Sequence, residues 1–548
     1  MTTLRSPVAA VRSVTDLLSA AAVLAKRGMF DPAHPGELLR VMRDASVYGP
    51  FVTTLAHATR RHGHAPAIID ERGSLTFQQL DEQSNALTRG LAAAGIGPGT
   101  VLAALCRDHR GLVLTLLAAG KLGARLVLMN TGFAKPQFAA VAEREKVGAI
   151  LLDSEFVELL GAIPATVPRF LTWVDDTDAI GDDTPTTESL ITANSTAALP
   201  APNRPGSIVI LTSGTTGTPK GAPRDKVSPL QSAQFLHRVP MPRDDTVVMA
   251  APIFHGTGLS QFALGWALGN KVVFQQRKFD PRHTLANVAR HRAATLVVVP
   301  TMLQRILDLG PGVLTQYDTT SLKVIFTAGA PVSPDLSRRT ADAFGDVLYN
   351  LYASTEVAVA AVATPQDMRI APGTVGRPPV GCRVAIYDAQ RNRITTPGEV
   401  GTIFVSSGLS FSGYTDGRNK EMVDGLLSSG DVGHFDAEGR LFIDGRDDDM
   451  IISGGENVYP LEVENLLVER PDVLEAAVVG VDDRDFGKRL RAFVVPAEDA
   501  ECDPQEIKDY VRANLARHKV PREVVFVDEL PRNATGKLLR RALEESGA

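Results

Sequence analysis

The stretch Thr212-Ser213-Gly214-Thr215-Thr216-Gly217-Thr218-Pro219-Lys220-Gly221 constrains the fold more than any other part of the chain. It follows directly on an apolar, β-branched run, Ser207-Ile208-Val209-Ile210-Leu211, which reads as a buried strand delivering a loop to a sheet edge. The loop offers the hydroxyls of Thr212, Ser213, Thr215, Thr216 and Thr218, glycines that let backbone N–H groups approach an anion closely, and one cation, Lys220. Such a loop suits a polyphosphate. A Walker loop needs Gly-Lys-Ser/Thr after its spacer, whereas Thr218 and Pro219 separate Gly217 from Lys220, so a P-loop NTPase is disfavoured. The alternative is a Ser/Thr/Gly surface linker, and the position directly after a buried strand counts against it.

At 548 residues the chain exceeds what one core usually serves, and at least two domains are expected. Lys plus Arg number 57 against 63 Asp plus Glu, a formal net charge of −6, so no general footprint for nucleic acid is present. Cys106, Cys382 and Cys502 lie far apart and form no CxxC pair, which argues against a disulfide framework or structural zinc and fits a reducing cytoplasm. Near the N-terminus the apolar run Leu17–Ala25 is closed by Lys26-Arg27 after nine residues, too few to span a bilayer. An amphipathic helix that packs on the body is the preferred reading, with peripheral membrane contact as the other.

Further along, Pro66–Asp70 and Gly73–Phe77 read as short strands around a turn, and Gln78–Ala94 as a helix stopped by Gly95-Ile96-Gly97-Pro98-Gly99. Val101–Cys106, Leu126–Asn130, Thr246–Ala250, Lys271–Phe274, Thr295–Val299 and Leu322–Phe326 read as buried strands, with a helix over Gly111–Gly123. Strands alternating with helices imply parallel βα layers, and several strands end in small-residue turns, as ligand-binding α/β sheets do. Residues 175–206, rich in Asp, Thr and Pro, read as an exposed connection. After the polar stretch Gly445–Asp449 the chain changes character. Helices over Leu461–Val468 and Asp503–Leu515 and strands over Ala476–Val481 and Arg491–Val495 make a small α+β domain with its boundary at Asp448.

Three further clusters carry chemistry. In Tyr352-Ala353-Ser354-Thr355-Glu356 an aromatic ring can stack on a purine, a hydroxyl can contact phosphate and a carboxylate can hold a divalent cation; alone, these are ordinary strand residues. Asp431 after Gly430 can accept from ribose hydroxyls with Arg446 as the complementary donor; the bland readings are a turn-stabilising Asp and a solvated charge. Lys537, on the loop Pro531-Arg532-Asn533-Ala534-Thr535-Gly536-Lys537, suits charge building between a carboxylate and a phosphate, or is one more basic residue in a basic tail.

Taken together and in this order, Thr212–Gly221, Tyr352–Glu356, Ser429-Gly430-Asp431, Gly445-Arg446 with Asp448, Ser453-Gly454-Gly455-Glu456 and Pro531–Lys537 resemble the acyl-adenylate-forming superfamily over residues 50–542. That group includes acyl-CoA synthetases, adenylation domains of peptide synthetases and beetle luciferases. The resemblance implies an α/β fold with a large N-terminal domain of layered βα subdomains (51–447), a small mobile α+β C-terminal domain (448–548) and a helical extension (1–50). It also implies Mg2+, ATP and coenzyme A. Thr212, Ser213, Gly214, Thr215, Thr216, Gly217 and Lys220 would hold the β and γ phosphates. Gly329, Ala330 and Pro331 would border adenine, with Tyr352 stacked on it. Thr355 would touch the α-phosphate, Glu356 would bind Mg2+, and Asp431 and Arg446 would hold the ribose. Lys537 would stabilise the adenylation transition state and leave as the small domain turns about Asp448. Ser453, Gly454 and Gly455 would line the pantetheine channel. His255, Gly256 and Gly258 match the acyl gate and pocket, with His255 a pocket wall rather than a base. Ser354 where glycine is frequent, Asn533-Ala534-Thr535 before Gly536, and Ala222-Pro223-Arg224 after the phosphate loop depart from the commonest pattern.

The apolar, uncharged segment Gly256–Trp266 favours a medium- or long-chain fatty acid as substrate, with an aryl acid as the nearest alternative. An adenylate-only fatty acyl-AMP ligase and a non-catalytic acyl or nucleotide sensor are further readings. Retention of Glu356 and Lys537 counts against the sensor.

Overall fold

The computed structural model describes the chain except for residues 1–6, 31–32, 176–183, 213–219, 225–228, 276–277, 355–356, 409–419, 454–455, 484–486, 498–499, 501, 533–537 and 546–548. The fold is α/β and divides into two compact units, residues 1–327 with 408–419 and residues 328–407 with 420–548.

In the first unit, one sheet runs in spatial order Val324–Ala328, Thr295–Val298, Thr246–Met249, Lys271–Phe274, Pro66–Asp70 and Gly73–Thr76. Its neighbours are parallel except for the closing hairpin of Pro66–Asp70 with Gly73–Thr76. A second sheet runs Arg169–Trp173, Ala149–Asp153, Val101–Leu105, Arg125–Leu128, Ser207–Thr212 and Lys220–Arg224. It too is parallel until its last pair. Buried on both faces, these strands are the near-continuous Val/Ile/Leu runs seen in the sequence. Val127, Phe138, Val141, Ile150, Leu152 and Val209 form part of one core with no solvent exposure.

The helices start and stop where the local chemistry dictates. The Phe77–Ala93 helix opens on a capping box, with Thr76 Oγ1 accepting from Gln79 N at 3.1 Å and Gln79 Oε1 accepting from Thr76 N at 2.9 Å. The Arg110–Leu122 helix ends on the left-handed Gly123 (φ 68°). Lys121 on that helix is buried, and its ammonium donates to Asp81, Ser84 and Asn85 at 2.7 Å each, so the charge is paired.

One sequence expectation changes here, and that of a packed N-terminal helix holds. The 175–206 connection contains a helix, Thr187–Ala193, capped by Thr186. Leu190 of that helix would lie 2.8 Å from a Cβ on Gly90, so glycine there admits the close approach. Its Ser/Thr-rich composition hid the helix, because the capping residues are also turn residues. The N-terminal run lies within a helix, Pro7–Lys26, that packs on the Pro229–Arg238 helix. It buries Ala20 and Leu24 and leaves Leu17 and Leu18 about two-thirds exposed, at 67% and 65%. Arg27 Nε donates to Leu236 O at 2.9 Å just beyond it. Among the described residues no helix is long and apolar enough to cross a membrane.

In the second unit, the strands Leu348–Ser354 and Ala358–Ala363 form an antiparallel pair. An antiparallel sheet follows in the order Arg393–Ile394, Arg383–Tyr387, Gly401–Ser406, Leu426–Phe435 and Met422–Val423, with Leu441–Arg446 also on Leu426–Phe435. The C-terminal sheet runs Glu456–Val458, Ile451–Ser453, Gly487–Pro496 and Val473–Asp483, with Glu523–Phe526 added parallel to Gly487–Pro496. The helices Pro460–Leu467 and Pro504–Asn514 contribute to its core, where Val463, Leu467, Val478, Ala492, Val494, Ile507 and Val511 are fully buried. These elements make a smaller C-terminal α+β layer, and Asp448 lies in a 3₁₀ turn, Asp447–Asp449, ahead of it.

Candidate active site

The candidate polyphosphate loop is bracketed by two antiparallel strands. Thr212 and Lys220 are direct partners across Ser207–Thr212 and Lys220–Arg224, so the two ends of the loop are fixed side by side. The loop residues Ser213, Gly214, Thr215, Thr216 and Gly217, with Thr218 and Pro219, lie outside the described residues. The second strand was not legible in the sequence, because Pro223 sits in it opposite Val209. The order of the sheet explains the tolerance: Lys220–Arg224 is an edge strand, where a missing N–H costs no ladder bond.

The same strand pair lies against the candidate acyl gate. Ile210 Cδ1 is 4.0 Å from where a Cβ on Gly256 would stand, so the strand that carries the phosphate loop runs beside the start of the Gly256–Ala267 helix. Gly258, one turn in, would place a Cβ 2.2 Å from Pro252 O; only glycine lets the helix seat this tightly on the 251–252 turn. His255 is the N-cap of this helix without making a side-chain cap, and its ring lies against Phe254 at 4.3 Å between centroids. Its Nε2 is buried without a hydrogen-bond partner, and burial pulls its pKa down to about 4, so the imidazole is neutral at physiological pH.

A residue that sequence reading missed anchors this gate. Asp108, at the carboxyl end of strand Val101–Leu105, accepts from Ile253 N with both oxygens, at 3.1 and 3.0 Å, two residues ahead of His255. It lines a small pocket with Asp70, Arg107, His109, Asp153 and Trp173. Burial pushes its carboxyl up to about 7, opposed by the Ile253 hydrogen bond and by His109 and Arg107. The only sequence signal was its place just after a strand, which many inert turn residues share.

The second unit brings together the candidate nucleoside residues. Asp431 and Arg446 are direct partners across the antiparallel strands Leu426–Phe435 and Leu441–Arg446. The Tyr352 hydroxyl donates to Asp431 Oδ2. Burial, and then the Asp431 charge, hold that hydroxyl protonated by raising its pKa well above the usual tyrosine range. Ser429, buried, supports the turn, its hydroxyl accepting from Asp431 N at 3.1 Å and donating to Ile403 O at 3.0 Å. Gly430 between them has φ 83°, a conformation that favours glycine. Tyr352, chosen from the sequence apart from the Asp431–Arg446 pair, thus joins it in one constellation: a carboxylate cross-strand from an arginine and hydrogen-bonded by a phenol. Gly329, Ala330 and Pro331 follow the strand Val324–Ala328 as an open turn, with φ 93° at Gly329.

Arg446 ends its strand and serves as N-cap of the 3₁₀ turn that contains Asp448, so the ribose candidate and the hinge candidate are consecutive pieces of backbone. Asp449 in that turn meets Arg540 Nε at 3.3 Å. The Arg540 guanidinium also donates to Glu464 at 2.5 and 2.9 Å and to Val478 O at 2.8 Å. Ser453 pairs with Glu456 and Gly487 at the end of its hairpin, and Gly454 and Gly455 lie outside the described residues. Lys537, Thr355 and Glu356 lie outside them as well. The loop that carries Lys537 is closed at its base by the Arg532–Leu538 bridge and by Leu539 N donating to Pro531 O at 2.9 Å. Among the described residues no cluster of His, Cys, Asp and Glu is arranged to hold a metal ion.

The strand pair that brackets residues 213–219, the Tyr352–Asp431–Arg446 cluster and the small C-terminal sheet are those of an α/β fold of the adenylate-forming kind. The AMP-binding enzyme family model matches residues 55–415 and the AMP-binding enzyme C-terminal domain model matches 462–537. The chain belongs to this family. It is 31% identical to an indoleacetate–CoA ligase of Aromatoleum aromaticum, covering 88% of this chain and 95% of the relative. It is 29% identical to the fatty acid–[acyl-carrier-protein] ligase ScoC of Streptomyces coeruleorubidus, covering 91% and 97%. The crystal structure of ATP-bound MatB from Rhodopseudomonas palustris superposes with a TM-score of 0.79 at 27% identity, covering 90% of this chain and 98% of that one.

Proposed function

We propose that the protein is an AMP-forming acid–CoA ligase acting on a hydrophobic carboxylic acid, with a medium or long alkyl chain as the first choice. The observation that carries this reading is the approach of Ile210 to the Gly256 position, which supports a phosphate loop on that strand working beside an acyl pocket opened by the Gly256–Ala267 helix. An acid and a triphosphate have to meet in that way for one oxygen of the carboxylate to reach the α-phosphorus.

In the first half-reaction a carboxylate oxygen attacks the α-phosphorus, the bond to the β-phosphate oxygen breaks and pyrophosphate leaves. Thr212, Ser213, Thr215, Thr216 and Lys220 orient and neutralise that leaving group through hydroxyls, backbone N–H groups and one ammonium. Tyr352 fixes Asp431, and Asp431 with Arg446 holds the ribose, so binding energy from the nucleoside positions the reacting phosphorus. Thr355 contacts the α-phosphate and Lys537 neutralises charge at the transferring centre. Mg2+, which the family implies, would be held by Glu356, which lies outside the described residues, and would neutralise phosphate charge. In the second half-reaction the thiol of coenzyme A attacks the acyl carbonyl carbon and AMP leaves, after residues 448–548 turn about Asp448 and present Ser453, Gly454 and Gly455 to the pantetheine. His255 needs no proton to move: the acid arrives ionised, and a neutral imidazole serves as a pocket wall.

An aryl acid is the second reading. It is favoured by the identity to an indoleacetate–CoA ligase and by the rings of Phe254 and His255 at the pocket entrance, which offer faces to a planar group. Pyrophosphate release measured across alkyl and aryl acids, with and without coenzyme A, tests both. Release that requires one of these acids, with thioester formed when coenzyme A is present, is expected. Absence of acid-dependent release overturns the proposal, and release without thioester replaces it with an adenylate-only ligase.

A further inference from the structure

Asp108 stands between two residues that are tied to one carboxylate. Asp153, at the end of the neighbouring strand Ala149–Asp153 and 3% exposed, accepts from Arg107 N at 2.8 Å and from Thr172 Oγ1 at 2.5 Å, and His109 Nε2 lies 2.9 Å from it. Gly111 N donates to His109 Nδ1 at 3.0 Å, so Nε2 carries the proton that Asp153 accepts. With its neighbours fixed on both sides, Asp108 is aimed rather than free to turn. The Arg107 guanidinium is committed to both oxygens of Glu155, at 2.6 and 2.7 Å, and Asp70, in the same pocket, to Arg110 at 2.6 Å. Among the described residues the hydrogen-bond donor to Asp108 is Ile253 N, shared between its two oxygens, and no ion pair reaches it. A carboxylate has room for about four hydrogen bonds, so the strength of this one depends on the charge behind it. Ile253 in turn carries the gate. It has no solvent exposure, His255 N two residues on donates to Pro252 O at 3.2 Å, and His255 O accepts from Leu259 N at 2.9 Å. Asp108 follows a strand of one parallel sheet and Ile253 a strand of the other, Thr246–Met249, so this hydrogen bond joins the carboxyl edges of the two sheets of the first unit.

We propose that Asp108 is a positioning residue for the acid: ionised, it holds the Ile253 N–H and with it the turn that presents His255, and on protonation it lets that turn loosen. This rests on the ligase reading above and adds a control to it, since the mouth of the acyl pocket then tightens as Asp108 gains its charge. With a pKa of about 7, raised first by burial, the carboxyl changes state near neutral pH. The groups that face it pull both ways: the Ile253 N–H, His109 and Arg107 favour the ionised form, and Asp153 opposes it. Glu71 and Asp175 add carboxylates to the same pocket, and His255, neutral on the gate side, adds no charge.

The test reads the turn and the reaction separately, in wild type, in Asp108→Asn, which keeps an acceptor without a charge, and in Asp108→Ala, which keeps neither. Hydrogen exchange of the Ile253–Gly256 amides, followed by mass spectrometry on the free full chain at about pH 6 and about pH 8 and corrected for intrinsic rates, needs no substrate. Wild type is expected to protect this segment at least about fivefold better at the higher pH; that ratio should be about one in both variants, with Asp108→Ala at least about tenfold less protected than wild type at the higher pH. In pyrophosphate-release kinetics with decanoate and with cinnamate, the wild-type KM for the acid should fall several-fold from about pH 6 to about pH 8 relative to either variant, while the KM for ATP follows one course in all three. A gate segment equally protected in all three proteins overturns the inference, as does an acid KM that the variants leave unchanged. A pH difference that persists in Asp108→Asn assigns the titration to another group and overturns it too, and so does lost protection spread over both sheets, which makes Asp108 a general structural residue. No release by wild type with any acid marks the failure of the ligase reading alone, and exchange then still decides the role of Asp108.

Discussion

A neutral histidine at the mouth of an acyl pocket is a statement about pH. Burial lowers the His255 pKa to about 4, whereas in the unfolded chain it lies near 6.5. The sign follows: below 6.5 the unfolded state takes up a proton that the folded state refuses, so stability falls as pH drops from about 6.5 towards 4. Replacing His255 with Phe should flatten thermal stability across that window, and adenylation by wild type should show no inflection near pH 6.5 from this group; an inflection that His255→Phe removes would make it a base after all. At the nucleotide end, Tyr352→Phe deletes the hydroxyl that orients Asp431. A charge-assisted bond of this kind is worth about 1.5–3 kcal/mol, so KM for ATP should rise by an order of magnitude or more while the KM for the acid holds, as initial-rate kinetics would show. Much of this site is written in the sequence because its charges and hydroxyls cluster in short motifs. The role of Asp108 is not, because its partner is the backbone N–H of Ile253, 145 residues away, and main-chain partners leave no trace in side-chain pattern.

Among elements, the C-terminal helix tethers one corner of the small domain through a single guanidinium. Arg540 pairs with Glu464, which is 7% exposed and also accepts from Val478 N at 2.7 Å. Arg540→Ala leaves Glu464 with a buried charge and no guanidinium, which should cost about 3–5 kcal/mol measured by chemical denaturation of the full chain. Arg540→Lys should recover only part, since one ammonium cannot reproduce the fork. Legibility at this scale followed burial. The strands buried on both faces, such as Val101–Leu105 and Thr295–Val298, were located to within a residue at their ends, because continuous β-branched runs of that length have few other homes. The edge strand Lys220–Arg224 and the Thr187–Ala193 helix were missed: each is short and half polar, and only their neighbours decide their conformation.

For the whole molecule, the candidate residues divide between two compact units: the first holds the Ser207–Thr212/Lys220–Arg224 strand pair and the Gly256–Ala267 helix, the second the Tyr352–Asp431–Arg446 cluster and the C-terminal sheet. The order of motifs along the chain announced this family. The acid it activates was much less legible, because an apolar, uncharged segment such as Gly256–Trp266 suits an alkyl and an aryl acid alike. The central claim is a two-step ligase in which one small domain serves both steps from different positions, and Lys537 tests it most directly. Lys537→Ala should lower acid-dependent pyrophosphate release by at least about a hundredfold, while thioester formation from supplied acyl-adenylate and coenzyme A stays within a few-fold of wild type. Equal losses in both half-reactions would contradict the account.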